Sequence, residues 1–249
     1  MDSTSSIDVA FDFRSDTPEG KDPDAASPTL RMYHRLLWSK TLPSGMVFKL
    51  VDTKAGAYLH HDSPLGEFWL ASDSVIPTFR KDPRLSHILA QIPDELAAFG
   101  KLGYTMGGMM LFPGNRIDRK MTINGARGFH PLIKDRFDLT IECIRRHYLN
   151  EDNPLNSTLC RYANYFRLFG DFRGYVEFFL LQDLVTADCA AVNFFMPFRN
   201  FTSSPVPESM AAYLDYRAHA MGFIEARNRR IAAWWRMQRF GCATDVHQA

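Results

Sequence analysis

No stretch of this 249-residue chain approaches the roughly 20 consecutive apolar residues of a membrane-spanning helix. Its first residues, "MDSTSSIDVAFDF", have neither the basic start nor the apolar run of a secretory signal. The chain therefore reads as cytoplasmic, with no membrane partner. Charge of one sign is scarce as well: Lys and Arg number 29 against 28 Asp and Glu, and the net charge of +1 steers the protein globally toward neither nucleic acid nor an acidic lipid surface. Any basic surface must be local. Cys143, Cys160, Cys189 and Cys242 are far apart and form no C-x-x-C pair, which argues against a zinc knuckle or a dithiol redox motif. They read as free thiols. Internal repeats and low-complexity segments are absent.

What is present suits a soluble globular chain, with 46% hydrophobic and 23% charged residues. Twenty Phe, nine Tyr and four Trp mean that large rings should supply much of the packing energy. Residues 1–26 are rich in Ser, Asp, Thr, Pro and Gly and read as a polar arm lying on the rest. Residues 27–240 read as a single domain, and 241–249 as a C-terminal tail.

"SPTLRMYHRLLW" predicts a helix: Ser27 is placed to cap it, Pro28 suits its first position, and Leu30, Tyr33, Leu37 and Trp38 recur at helical spacing. "MVFKLV", "AYLHH" and "EFWLAS" read as short antiparallel strands separated by turn chemistry. "RLSHILAQI" and "DELAAFGKLGY" read as helices. "GGMMLFPGN" and "KMTIN" read as strands, Pro131 to Tyr148 as a helix, and residues 154–185 as a helical hairpin broken at Gly170. "AVNFFMPF" suggests a further strand, and a long last helix runs from Glu208 to about Phe240. The pattern predicts an α+β fold, rich in helix, with a small antiparallel sheet.

Three constellations have chemical potential. In "NGARGFHPLIKDRF", Gly125 and Gly128 would let a turn point its amides inward ahead of a helix start, and Arg127 would add a forked donor for phosphate or carboxylate. The structural alternative is a plain turn, with Arg127 paired to Asp135 or Asp138. His34, His60 and His61, with Ser72 and Asp73, lie on or beside predicted elements, but they lack the carboxylate spacing of a metal site, and no metal is expected. In "EARNRRIAAWWRMQR", arginines surround Trp234 and Trp235, a composition able to follow a nucleic-acid backbone and stack bases. A helix with a buried Trp edge and solvated arginines accounts for it equally.

"DPDAASPTLRMYHRLLWSKTLPSG", "MTINGARGFHPLIKDRFDLTIECIRRHY" and "FGDFRGYVEFFLLQDLV" resemble a bacterial family known only as a domain of unknown function. That resemblance spans nearly the whole chain and implies an intracellular bacterial protein, with no activity to carry over. "GEFWLASDSVIPTF" is similar to the middle element of ADP-ribosyltransferases. This second likeness implies Trp69 and Phe79 flanking a nicotinamide, His34 on a ribose hydroxyl, Glu177 or Glu67 stabilising an oxocarbenium charge, and NAD as the cofactor. His34 and Glu177 fall on predicted helices and Phe79 lacks a hydroxyl, all departures from that pattern.

Two functional expectations follow. In the first, the protein acts on a phosphate-bearing small molecule, a nucleotide or NAD-like compound, with ADP-ribosyl transfer as the concrete version. In the second, it binds nucleic acid or a protein partner within a toxin or phage-defence system, without catalysis of its own, through Arg145, Arg146, Arg229 and Arg230.

Overall fold

The computed structural model describes residues 6–53, 59–76 and 83–240. Helix α1 (Pro23–Ala26) and helix α2 (Pro28–Trp38) open the fold, followed by a two-stranded hairpin, β1 (Lys40–Thr41) and β2 (Val47–Phe48). Strands β3 (Val51–Asp52), β4 (Leu59–Ser63) and β5 (Gly66–Ser74) come next, then helices α3 (Pro83–Leu89) and α4 (Pro93–Gly103) and strand β6 (Met109–Pro113). The remainder is helical: α5 (Ile123–Phe129), α6 (Phe137–Tyr148), α7 (Asn156–Arg161), α8 (Ala163–Arg167), α9 (Phe172–Phe178) and the long α10 (Met210–Phe240). The fold is α+β and rich in helix, with two small antiparallel sheets, one ordered β1-β2 and the other β3-β4-β5-β6.

Helix α2 forms as its sequence dictates. Ser27 Oγ accepts from Leu30 N at 3.1 Å and itself donates to Asp16 at 2.6 Å, so one hydroxyl caps the helix and fastens the preceding arm. The arm is more than a polar tail, because Phe13 is fully buried and its amide donates to Tyr104 O.

Period-two alternation divides the larger sheet into two faces. Leu59 pairs with Leu70 and His61 with Phe68, and all four are buried on the core face. His60 pairs with Trp69 on the other face, which Glu67, Ala71 and Asp73 share by alternation along β5. Helix α1 lies against β5 and α5 against β6.

The core under this sheet is aromatic. Phe169 stands 4.9 Å from Phe178, 5.2 Å from Tyr165 and Phe179, and 5.3 Å from Tyr175, in tilted or edge-on geometries. Each such pair contributes about 0.5–1.5 kcal/mol beyond its buried area. Helix α10 is bound to this core by Arg227, fully buried, which donates to the carbonyls of Phe179, Gly107 and Met109.

The structure departs from the sequence reading at four places. "KMTIN" is no strand: Thr122 Oγ1 accepts from Gly125 N and caps α5, whose buried Ile123 and Ala126 are three residues apart on one side of the helix. The helix expected from Pro131 begins at Phe137, because Lys134 and Asp135 both take positive φ, 48° and 65°, and interrupt the chain. The expected helical hairpin is split into α7, α8 and α9, with Gly170 at φ 78° making the break before α9. "AVNFFMPF" contributes only one bridge, Val185 to Val192. The tail 241–249, with Cys242, lies outside the described residues.

Candidate functional site

A cleft of about 450 Å³ opens on the Trp69 face of the sheet. Trp69 and Ala71 of β5 form its floor, Gly114 to Arg116 after β6 form a rim, and Thr122 and Asn124 at the start of α5 form a wall. Its volume falls in the range of sites that take small molecules, about 300–1,000 Å³.

Bonds to backbone carbonyls hold the rim and the segment that leads to the wall. Gly114 N donates to Trp69 O at 2.6 Å, so the rim continues the β5–β6 ladder. Tyr162 Oη donates to Asn115 O at 2.7 Å, and Arg161 donates to Met121 O at 2.8 Å, which fixes the segment joining β6 to α5 from below. Asp118 and Arg119 turn this segment with φ of 52° and 58°. Asn124 Nδ2 reaches Ser72 O at 3.5 Å, while its Oδ1 is buried without a hydrogen-bond partner among the described residues.

The polar groups of the cleft are two amides, one hydroxyl and one guanidinium. Arg116 is exposed and makes no ion pair among the described residues. Beside the cleft, the His60 ring lies 4.9 Å from that of Trp69, and His60 Nε2 lies 3.7 Å from Glu67 Oε2. His61 faces inward, its ring 4.1 Å from Phe48 and its Nδ1 donating to Lys49 O at 3.1 Å. Burial pushes the His61 pKa down, so the imidazole is kept neutral in this position.

His34 is on the opposite side of β5 from Trp69. Trp38 Nε1 can only donate, so His34 Nδ1 accepts it at 3.0 Å, and the proton of the neutral ring sits on Nε2, which donates to Ser72 Oγ at 3.0 Å. Burial first, then the Arg227 and Arg31 charges, hold its pKa down at about 3. Both ring nitrogens are committed to tying α2 to β5. His34 and Trp69 are therefore not brought together on one ligand surface.

Arg127 is buried, and its donors are used within the protein. Nε donates to Thr140 Oγ1 at 3.1 Å, Nη1 to Asp73 Oδ2 at 2.6 Å and to Ser74 O at 3.4 Å, and Nη2 to Asp135 O at 2.8 Å, while Asp135 Oδ1 makes an ion pair with Nη1 at 2.9 Å. Burial works to lower its pKa, but Asp135 and Asp73 outweigh burial and the net shift is upward. The pairing with Asp135 is the structural alternative weighed for this residue; Asp138 is taken by Arg136 instead. Gly125 and Gly128 are interior positions of α5 rather than parts of an amide-lined turn, and a Cβ would find nothing closer than 3.6 Å at the first or 3.9 Å at the second. The expected loop is a helix because Thr122 caps it and Arg127 draws one side of it against Asp73.

Of the remaining sequence candidates, Glu67 shares the cleft face of β5, and Glu177 is exposed on α9, away from the cleft lining. Phe79 lies outside the described residues. Arg145 and Arg146 both bond Glu142, at 2.8 and 2.7 Å, and Arg230 grips Asp183 with two bonds of 2.8 Å. Arg229 alone among these four is exposed without an ion pair among the described residues. No group of His, Cys, Asp and Glu able to hold a metal ion occurs among the described residues, and none of their helices is long and apolar enough to cross a membrane.

Sequence reading missed Asn115, Arg116, Thr122 and Asn124. Their signal was the "PGN" turn closing β6, which marks a strand end but does not reveal what packs opposite it.

A helix-rich α+β fold with a small-molecule-sized cleft beside one sheet face is the class defined so far. The chain belongs to DUF6994, a family of unknown function, whose profile matches residues 7–231 and so takes in every residue of the cleft. No curated protein and no solved structure matches it.

Proposed function

We propose that the cleft binds a small molecule that carries both a flat ring and an anionic group, a nucleotide or NAD-like compound. The observation that carries this reading is the presence, in one cleft, of the Trp69 ring on the floor and, on the rim, the exposed Arg116 guanidinium, which makes no ion pair among the described residues. An indole face stacks on any planar base, and an exposed guanidinium offers phosphate a forked, charge-assisted bond. Asn115 and Asn124 add amide groups that can read the polar edge of a ring. His34 lies across the strand from Trp69, so the proposal names a ligand class and does not extend to ADP-ribosyl transfer.

Isothermal titration calorimetry with AMP, ATP, GTP and NAD tests the reading. At least one should bind, with Trp69→Ala and Arg116→Ala each weakening binding about tenfold or more, in line with about 1–3 kcal/mol for a stacked base. The Arg116→Ala complex should also lose much of its sensitivity to salt. No heat from any of the four at millimolar concentration, or binding indifferent to both substitutions, would overturn it.

A further inference from the structure

Outside the cleft, one lysine amine is enclosed by aromatic rings. Lys40 begins β1 two residues after α2 ends, and it pairs with Phe48 of β2. Its Nζ stands 4.6 Å from the ring centre of Trp234, 4.7 Å from that of Phe178 and 5.0 Å from that of Trp38. Helices α10, α9 and α2 each supply one of these rings. The amine makes no hydrogen bond and no ion pair among the described residues, so no oxygen holds its protons. The residue is partly exposed and its Nζ is not sealed off, which leaves a path in from solvent.

The surroundings do not favour an ammonium ion here. Arg227, fully buried on α10, has its guanidinium 5.8 Å from the same Trp38 ring that Lys40 faces. Two cations thus share one indole, and neither has a carboxylate partner among the described residues. The other titratable groups of the surrounding elements bring no counter-charge. Arg230, one turn before Trp234, is held by Asp183, and His34 of α2 is neutral. Glu177, next to Phe178 on α9, is exposed and makes no ion pair among the described residues, and β2 consists of Val47 and Phe48 alone. Ring faces attract an ammonium by about 0.5–2 kcal/mol. Burial, and behind it the Arg227 charge, act the other way and bring the Lys40 pKa down to about 7. A desolvated lysine amine beside a second cation is a nucleophile at neutral pH.

We propose that Lys40, enclosed by Trp38, Phe178 and Trp234, is a nucleophilic amine that forms an imine with a small aldehyde or ketone. The Nζ lone pair attacks the carbonyl carbon and gives a carbinolamine. The oxygen then leaves as water, taking both hydrogens of the amine, and a C=N bond remains. No oxidant, metal or second substrate enters the step. The three rings exclude water from around the new bond, which protects it from hydrolysis. Lys40 is no part of the cleft lining, so the proposal stands whether or not the cleft takes a nucleotide.

Reductive trapping of the full chain with acetaldehyde and sodium cyanoborohydride at pH 7 tests this, with peptide mass spectrometry locating and timing each modified lysine. The reductant delivers hydride to the imine carbon and fixes the adduct as a secondary amine. Lys40 should be labelled at least tenfold faster than the exposed Lys101 and Lys120. In concentrated guanidinium chloride, which takes the rings away from the amine, that advantage should vanish. Labelling of Lys40 no faster than that of Lys101 and Lys120 in the folded protein would overturn the proposal. An advantage that survives unfolding would overturn it too, because the neighbours in sequence, and not the enclosure, would then be its cause.

Discussion

Arg127 and Asp73 stand 54 positions apart in the chain and meet at 2.6 Å, joining α5 to the end of β5 inside the protein. That pair, with Asp135, makes Arg127 a structural cation. Arg127→Ala should therefore lower stability by about 3–5 kcal/mol, because two carboxylates lose their buried partner. Arg127→Lys should recover little of it, since one ammonium cannot reproduce the fork shared by Thr140, Asp73 and Asp135. Urea denaturation of the three proteins measures both effects, and a fully stable alanine variant would refute the assignment.

Gly125→Ala separates the helix from the phosphate loop it was expected to form. Alanine at an interior helical position with free space for its Cβ should stabilise α5 by about 0.5–1 kcal/mol. Nucleotide binding, if calorimetry finds it, should persist. A loss of binding with unchanged melting would restore Gly125 as a ligand contact.

His34 sets a pH dependence whose sign follows from its neutrality. Its pKa is about 6.5 when unfolded and about 3 when folded, so between these values the unfolded chain binds more protons. The contribution is full above pH 6.5 and is lost as pH falls toward 3, to a total on the order of 5 kcal/mol. His34→Gln keeps an acceptor for Trp38 and cannot charge. Its stability should decline less steeply with acid than that of the wild type, as measured by denaturant midpoints from pH 7 to 4. Asp24 and Asp73 act in the opposite sense, their stabilisation being lost as pH rises through their raised values, so comparison of single variants resolves the two effects.

Gly107→Ala tests the seat of α10. A Cβ there would lie 2.4 Å from Ile224 O and 2.9 Å from Asn228, and would disturb the 2.6 Å bond from Gly107 N to Asn228 Oδ1. The expected cost is about 1–3 kcal/mol, read as a lower melting temperature. The clash is with helix backbone, which cannot swing aside as a side chain could. An unchanged melting temperature would mean that α10 is not held this closely.

Local chemistry alone determined several elements. Ser27 and Pro28 start α2, the apolar spacing of Leu30, Tyr33, Leu37 and Trp38 gives it a buried side, and the β4–β5 hairpin is legible in its turn residues. These depend on neighbours within a few positions, which is why composition and spacing suffice to place them. Helix α5 was not legible, since "INGARGF" carries two residues of poor helix propensity. It is helical because Thr122 caps it, Ile123 and Ala126 are buried, and Arg127 meets Asp73 on a strand it cannot sense locally. The cleft belongs to the same category. Trp69 was visible as an aromatic on a strand, but its neighbours Arg116 and Asn124 reach it only after β5 pairs with β6 and α5 docks beside them. Such contacts are decided by the burial of distant surfaces against one another, a tertiary energy that no window of neighbouring residues contains.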